Sequence, residues 1–295
     1  MPGLSVLIPV FNWDVRALVQ ALVVQQADWP GPVEIVLLDD GSQESFRVLN
    51  RELAGQPGVR YRELTRNVGR AAIRNQLAAD AQHEWLLLLD NDSLLLDARF
   101  LARYAAARNS ADVLIGGTYY APVPPTDPSL RLRWQYGQAR EARPAAGRQQ
   151  QPYAQLTINN ALIRAEVMRR FPLDERLTGY GHEDTRFGLE LAAAQVPVLH
   201  RANPVRHEGL EPAATFLAKS EQAVRNLAQV YRSDGLGADS RLLQAALRLR
   251  RLGAAAVAAA VLARLEPRLR RNLLGTRPSL RALDLLKLRW LLAVL

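Results

Sequence analysis

The sequence predicts an α/β fold, with a mostly parallel central sheet flanked by helices and a basic, helical C-terminal extension. Three observations carry this. Short apolar runs alternate with amphipathic stretches through the first half of the chain, as strands alternate with crossover helices. Polar clusters directly follow three of those regions, at the positions where open parallel sheets bind ligands. After residue 240 the pattern changes to leucine and alanine faces with arginines between them.

The elements follow in order. Leu4–Val10 reads as a buried strand, and Val15, Leu18, Val19, Leu22 and Val23 then recur at helical spacing behind a cap at Asn12 or Asp14. Residues 33–38 and 59–64 form the second and third strands. A helix follows from about Val68, capped by Asn67, with Ile73, Leu77 and Ala81 on one face. Trp85–Leu89 is a fourth strand and runs straight into Asp90. Beyond it the pattern predicts a helix over 97–108 and a strand over 113–117. A strand over 153–159 leads to a helix over Ala165–Arg170, followed by a helix over 182–194 and a short strand over 196–200. Phe216, Leu217, Ser220, Val224, Leu227 and Tyr231 mark a long amphipathic helix. Residues 121–152, rich in Pro, Arg, Gln and Gly, have weak periodicity and predict a long lid or binding loop. Carried through to Tyr153, the loop holds Trp134, Tyr136 and Tyr153 with several arginines, which suit an acceptor's sugars and phosphates; a disordered surface excursion is the alternative.

Length and charge narrow the classes. A chain of 295 residues accommodates one domain over 1–240 and an appendage over 241–295. There is no cysteine, which excludes disulfides, thiolate metal sites and a cysteine nucleophile, so any metal must be held by oxygen or imidazole nitrogen. The net charge of +9 is unevenly spread: residues 241–295 hold twelve basic side chains against Glu266 and Asp284, a net +10, leaving residues 1–240 at −1. The N-terminal MPGLSVLIPVFN lacks the basic and apolar regions of a signal peptide, and the uncharged run 253–263 falls well short of the roughly 20 residues needed to span a bilayer. No signal peptide and no transmembrane helix are therefore expected, and the expected location is cytoplasmic.

Each polar cluster has a functional and a structural reading. In Asp90-Asn91-Asp92 two carboxylates can face one hard cation, Mn²⁺ or Mg²⁺, that bridges a diphosphate; alternatively they end a strand and cap a turn. Asp39-Asp40-Gly41-Ser42 can accept hydrogen bonds from a base or ribose, or simply form a turn. The segment from Asn67 to Asn75 opens a helix whose amides and Arg74 can meet an anion, while a solvated arginine is the plain alternative. Gly181-His182-Glu183-Asp184 offers carboxylates for general-base work or for capping. His207 is either a third metal ligand or an ordinary loop histidine.

Taken in order, Ser5 to Asn12, Asp39 to Ser42, Asn67 to Asn75, Leu89 to Asp92 and Gly181 to Asp184 resemble glycosyltransferase family 2 over residues 4–210. The resemblance implies a GT-A fold and an inverting displacement on a nucleotide-diphosphate sugar, UDP-type, with a glycan or lipid-linked acceptor. Its implied donor residues are Pro9, Phe11, Asn12, Asp39, Asp40, Arg74, Asp90 and Asn91. Its implied metal ligands are Asp90, Asp92 and His207. Asp184 would be the base with Glu183 beside it, and Asn160, Tyr180, Gly181, His182 and Trp134 would face the acceptor. Two departures stand out: Ser93 occupies a position that is often aspartate, and the Q-x-x-R-W signature of processive members is missing, which disfavours polymer synthesis.

A nucleotidyltransferase would carry a glycine- and basic-rich phosphate loop near the first strand, which is lacking; an inactive sugar-nucleotide-binding scaffold is disfavoured by the intact Asp90, Asp92, Glu183 and Asp184. The basic tail, interrupted at Pro267 and over 275–278, suits peripheral contact with an anionic membrane, packing on the catalytic domain, or a homo-oligomer interface. Nucleic acid is not an expected partner, because no recognition motif accompanies the charge.

Overall fold

A computed structural model describes residues 1–176, 181–235 and 240–295. It begins with four parallel strands, β1 (Leu4–Val10), β2 (Val33–Asp39), β3 (Val59–Glu63) and β4 (Trp85–Leu89), joined by α1 (Arg16–Gln25), α2 (Glu44–Arg51) and α3 (Arg70–Asp80). All of β4 and six of the seven residues in each of β1 and β2 are buried. Strands covered on both faces need no polar alternation, which is why they read as continuous apolar runs.

Then follow β5 (Ser93–Leu95), α4 (Phe100–Ala107), β6 (Val113–Ile115), β7 (Thr118–Tyr119), α5 (Arg131–Tyr136), α6 (Ala145–Gln149), β8 (Asn160–Arg164), α7 (Ala165–Arg170), α8 (Glu183–Ala193), β9 (Val198–His200) and β10 (Val205–His207). Helices α9 (Ala213–Asp234), α10 (Arg241–Arg251), α11 (Ala255–Leu273) and α12 (Leu280–Val294) complete the described chain. The main sheet has the order β3-β2-β1-β4-β8-β6-β9, and only β8 runs antiparallel, so the expected mostly parallel sheet is present. A second sheet, β5-β10-β7, was not expected, since strands of two or three residues carry no readable period.

Packing divides the chain into two compact units. The first is Met1–Tyr120, Glu141–Arg176 and Glu183–Gly209; the second is Ala121–Arg140, 181–182 and Leu210–Leu295. In the first, Val6, Ile8, Trp29, Phe100 and Tyr104 belong to one core, and Leu7, Ile73, Leu86, Leu88 and Phe187 to another. Neighbours along β1 thus point to opposite faces, each covered by its own layer. In the second unit Leu132, Phe216, Leu227, Leu243, Leu286 and Trp290 share one core, so α9 packs with the helices that follow residue 240.

Three expectations are corrected. Residues 121–152 do not form a loop: they fold into α5, a π-helical turn over Gly137–Glu141, and α6. Arg133 and Arg148 are buried there, and Arg148 donates to the carbonyls of Ile115, Gly116 and Arg201, so arginines mark the inside of this segment and hide its period. The strand expected over 153–159 is instead β8, just after it. Pro267 does not break the tail, since it lies on the exposed side of α11, where water can satisfy the carbonyl that proline leaves without a donor. Among the described residues no helix is long and apolar enough to cross a membrane.

Candidate active site

The carboxyl ends of β1 and β2 lie side by side, with Pro9 opposite Leu38 and Val10 opposite Asp39. The chain turns at Asn12, where φ is 48°; its amide donates to Ser42 Oγ (2.8 Å) and its Oδ1 accepts from the Gln43 amide (2.8 Å), locking the two loops together. Asp39 is fully buried and spent on this turn, accepting from the Ser42 amide (2.7 Å) and the Tyr61 hydroxyl (3.3 Å). Asp40 accepts from the amides of Val68 (2.6 Å) and Gly69 (3.3 Å), so the helix-start amides, expected to meet a ligand anion, instead hold this carboxylate. Burial raises its pKa, and the two amides oppose the rise only in part. Gly41, at φ 77°, cannot be replaced freely, since a Cβ there would lie 2.8 Å from the Arg66 carbonyl carbon. The Phe11 side chain is exposed, and its carbonyl accepts from Asn91 Nδ2 (3.3 Å).

At the end of β4, Asp90 meets two guanidinium groups. Arg74, 2% exposed, pairs with its Oδ1, and Arg70 Nη2 lies 3.8 Å from its Oδ2. Burial pushes the Asp90 pKa up, but the charges of Arg74 and Arg70 outweigh it and hold the carboxyl below its usual range. Arg70 also donates to Glu183 Oε1 (2.7 Å) and so bridges the two carboxylates. Arg70 was not singled out in the sequence, although its i, i+4 spacing to Arg74 on one face of α3 was a readable signal.

Asp92 is held differently. Its carbonyl accepts from the Glu208 amide (2.8 Å), and its Oδ1 lies 3.3 Å from His207 Nδ1. The β5–β10 pairing, with His207 opposite Ser93, makes this approach. The Tyr120 ring meets the His207 ring edge-on at 5.3 Å. A Cβ at Gly209 would sit 2.0 Å from Asp92 Oδ2, so a side chain there would displace the Asp92 carboxylate.

Asp92 Oδ1 is buried without a hydrogen-bond partner. One carboxylate oxygen beside one imidazole nitrogen is a donor pair that suits Mn²⁺ or Mg²⁺, with water and ligand oxygens to complete the shell. No three His, Asp or Glu side chains form a ready metal cluster among the described residues. Asp90, expected on the metal with Asp92, is paired with Arg74.

Helix α8 opens with Glu183 and Asp184, in two different environments. Glu183, 6% exposed, is bound to Arg70. Burial pushes its pKa up, yet Arg70 and Arg74 together bring it below the usual value. Asp184 accepts weakly from the Ile158 amide at Oδ2 (3.4 Å), and its Oδ1 is buried with no partner. Burial, reinforced by the Glu183 charge, raises Asp184 to about 7. Adjacent carboxyl groups thus hold different protonation states, the pattern by which acid and base roles separate.

The family model for glycosyl transferase family 2 matches residues 5–175, more than half of the chain. The chain belongs to glycosyltransferase family 2.

An N-acetylglucosaminyltransferase of Rhizobium leguminosarum bv. phaseoli is 28% identical over 98 residues, 32% of this chain and 23% of that protein. The dodecaprenyl-phosphate galacturonate synthase of Rhizobium johnstonii is 29% identical over 119 residues, 38% of this chain and 35% of that protein. The matches span about a quarter to a third of these curated relatives' lengths. Among solved structures, the mannosyltransferase PcManGT of Pyrobaculum calidifontis, in complex with GDP-Man and Mn²⁺, superposes with a TM-score of 0.57 at 18% identity, covering 97% of this chain and 78% of that one. S. aureus TarS 1–349, in complex with UDP-GlcNAc, gives 0.52 at 17% identity, covering 97% and 89%. The fold of this family member is therefore GT-A.

The expected acceptor residues fall in several places. Asn160 is corrected outright: it is fully buried, its Oδ1 accepts from Tyr104 (2.7 Å), and its Nδ2 donates to the carbonyls of Gly117 (2.9 Å) and Asn203 (2.8 Å), which leaves its amide no donor to offer. Its neighbour Asn159 has a buried Oδ1 without a partner and a carbonyl that accepts from the Asp90 amide (3.1 Å). Nothing in the order of residues distinguishes the two asparagines of the pair. Trp134 lies in the second unit, where its indole N–H is used by the Ala121 carbonyl (2.7 Å). Gly181 and His182, both at positive φ, are also in that unit, with Asn226 donating to the Gly181 carbonyl (3.1 Å). Tyr180 lies outside the described residues.

Proposed function

We propose that this glycosyltransferase moves a sugar, with inversion, from a nucleoside diphosphate donor of UDP type to a hydroxyl of a glycan or lipid-linked acceptor, and that its catalytic domain lies within residues 1–240. The observation that carries the proposal is Asp184: a buried carboxyl with an unpartnered oxygen, tuned to about 7, beside an anionic Glu183.

On this reading Asp184 Oδ1 takes the proton from the acceptor hydroxyl as its oxygen attacks the anomeric carbon, and the nucleoside diphosphate departs from the opposite face. Arg70 orients Glu183 to bind a sugar hydroxyl. Asp40, whose oxygens keep lone pairs beyond the two amide bonds, accepts from the base, and the exposed Phe11 ring offers it a stacking face. Arg74 and Asp90 form a buried pair that fixes the floor beneath the diphosphate. Asp92 and His207 would hold a divalent cation, which offsets the charge growing on the leaving group. The residues in hand thus divide the work: positioning falls to the arginine-bridged carboxylates and proton transfer to Asp184.

The pH dependence tests this. Below its pKa Asp184 carries a proton and cannot accept another, so kcat/KM is expected to rise as pH increases through about 7 and to level off above it. A divalent cation bound close by would move that limb to lower pH, never higher. A rate independent of pH across this range would remove Asp184 from the role of base.

A further inference from the structure

Helix α11 has two unlike sides. Leu262 and Leu273 point inward and are buried, and Glu266, the helix's only acid, pairs with Arg270 and with Arg289 of α12. The opposite stripe carries Val257, Ala260, Val261, Arg264, Arg268 and Arg271 at helical spacing, all exposed. Val257 is 68% exposed and Val261 53%, with Leu252 just before the helix at 70%. None of Arg264, Arg268 and Arg271 pairs with a carboxylate among the described residues. The stripe is therefore apolar in its first half, basic in its second, and free of acid.

From this surface we infer that α11 lies flat on an anionic lipid bilayer, with Leu252, Val257 and Val261 entering the headgroup boundary and Arg264, Arg268 and Arg271 meeting lipid phosphates. Charge and shape select this occupant. A second copy docked on the same face would set the arginines against arginines or against valines, with no acid on the stripe to pair them. Nucleic acid would satisfy the arginines but bury none of the exposed valines. A bilayer surface answers both halves, and a moderately hydrophobic, arginine-rich helix is the kind that lies in the interface rather than spanning it. The helix is 19 residues long, and its uncharged part is too short to cross. The remaining excess charge of the tail acts in the same direction.

The test is flotation of the full chain with vesicles of phosphatidylcholine alone or containing about a third phosphatidylglycerol, at physiological salt. Binding is expected only with the anionic vesicles. Replacing three near-surface arginines together as Arg264→Gln, Arg268→Gln and Arg271→Gln is expected to lower partition about 100-fold. Val257→Asp with Val261→Asp should abolish it; both sets of positions are exposed, so a thermal melt should show an unchanged fold. Equal flotation of either variant and the parent chain would overturn the inference. So would sedimentation as a dimer, dissociated by the same substitutions, with no flotation.

Discussion

Asp184→Asn is expected to bind the sugar-nucleotide donor as the parent enzyme does and to lose transfer by roughly 10²–10⁴-fold, the usual contribution of a positioned general base. The substitution is close to isosteric. An amide keeps an oxygen for the Ile158 N–H, removes no packing and relieves the repulsion from Glu183. What it removes is the capacity of a partnerless buried oxygen to take a proton. Donor affinity, measured by calorimetry, and transfer, measured by product formation, should therefore separate. Normal transfer by Asp184→Asn would sink the assignment, while a parallel loss of both would mean that Asp184 positions the donor rather than the proton.

Asp92→Ala is expected to act on the other half of the reaction. The Asp92 carboxylate faces His207 Nδ1 at 3.3 Å with a buried unpaired oxygen, the one place among the described residues where a carboxylate and an imidazole converge on an unmet polar atom. Donor affinity in the presence of Mn²⁺ should fall on the order of 100-fold, and the difference between Mn²⁺ and a chelator should vanish, because the cation's stabilisation of the diphosphate is worth several kcal/mol. Truncating this side chain removes atoms beside Gly209 and adds none, so the fold should persist. Donor binding by Asp92→Ala that is still enhanced by Mn²⁺ would place the cation elsewhere.

How far the sequence could be read follows from which contacts are local. Leu4–Val10 and Trp85–Leu89 were legible to the residue because a strand buried on both faces writes itself as an apolar run. Asp40 and Asp90 could be placed because each directly follows such a strand, and Asp184 because it lies in the first turn of an amphipathic helix. Their partners were not. That Asp90 belongs to Arg74 and Arg70 depends on how α3 packs, and their i, i+4 spacing shows a shared face but not what that face meets. His207 reaches Asp92 only through a pair of three-residue strands. Asn160 and Asn159 show the limit most sharply: adjacent residues project to opposite sides, and a one-residue choice exchanges a saturated core amide for one with an unmet oxygen. The segment 121–152 failed for a related reason, since pattern reading sends arginine to the surface while Arg133 and Arg148 are buried.

The central claim, sugar transfer from a nucleoside diphosphate donor, is tested most directly by incubating the purified chain with a panel of UDP- and GDP-sugars, with Mn²⁺ or with a chelator, and following release of the nucleoside diphosphate by mass spectrometry. Slow, Mn²⁺-dependent release from one class of donor, as the diphosphate leaves and water substitutes for the absent acceptor, is the predicted result. Release of inorganic pyrophosphate or of a nucleoside monophosphate instead would contradict it.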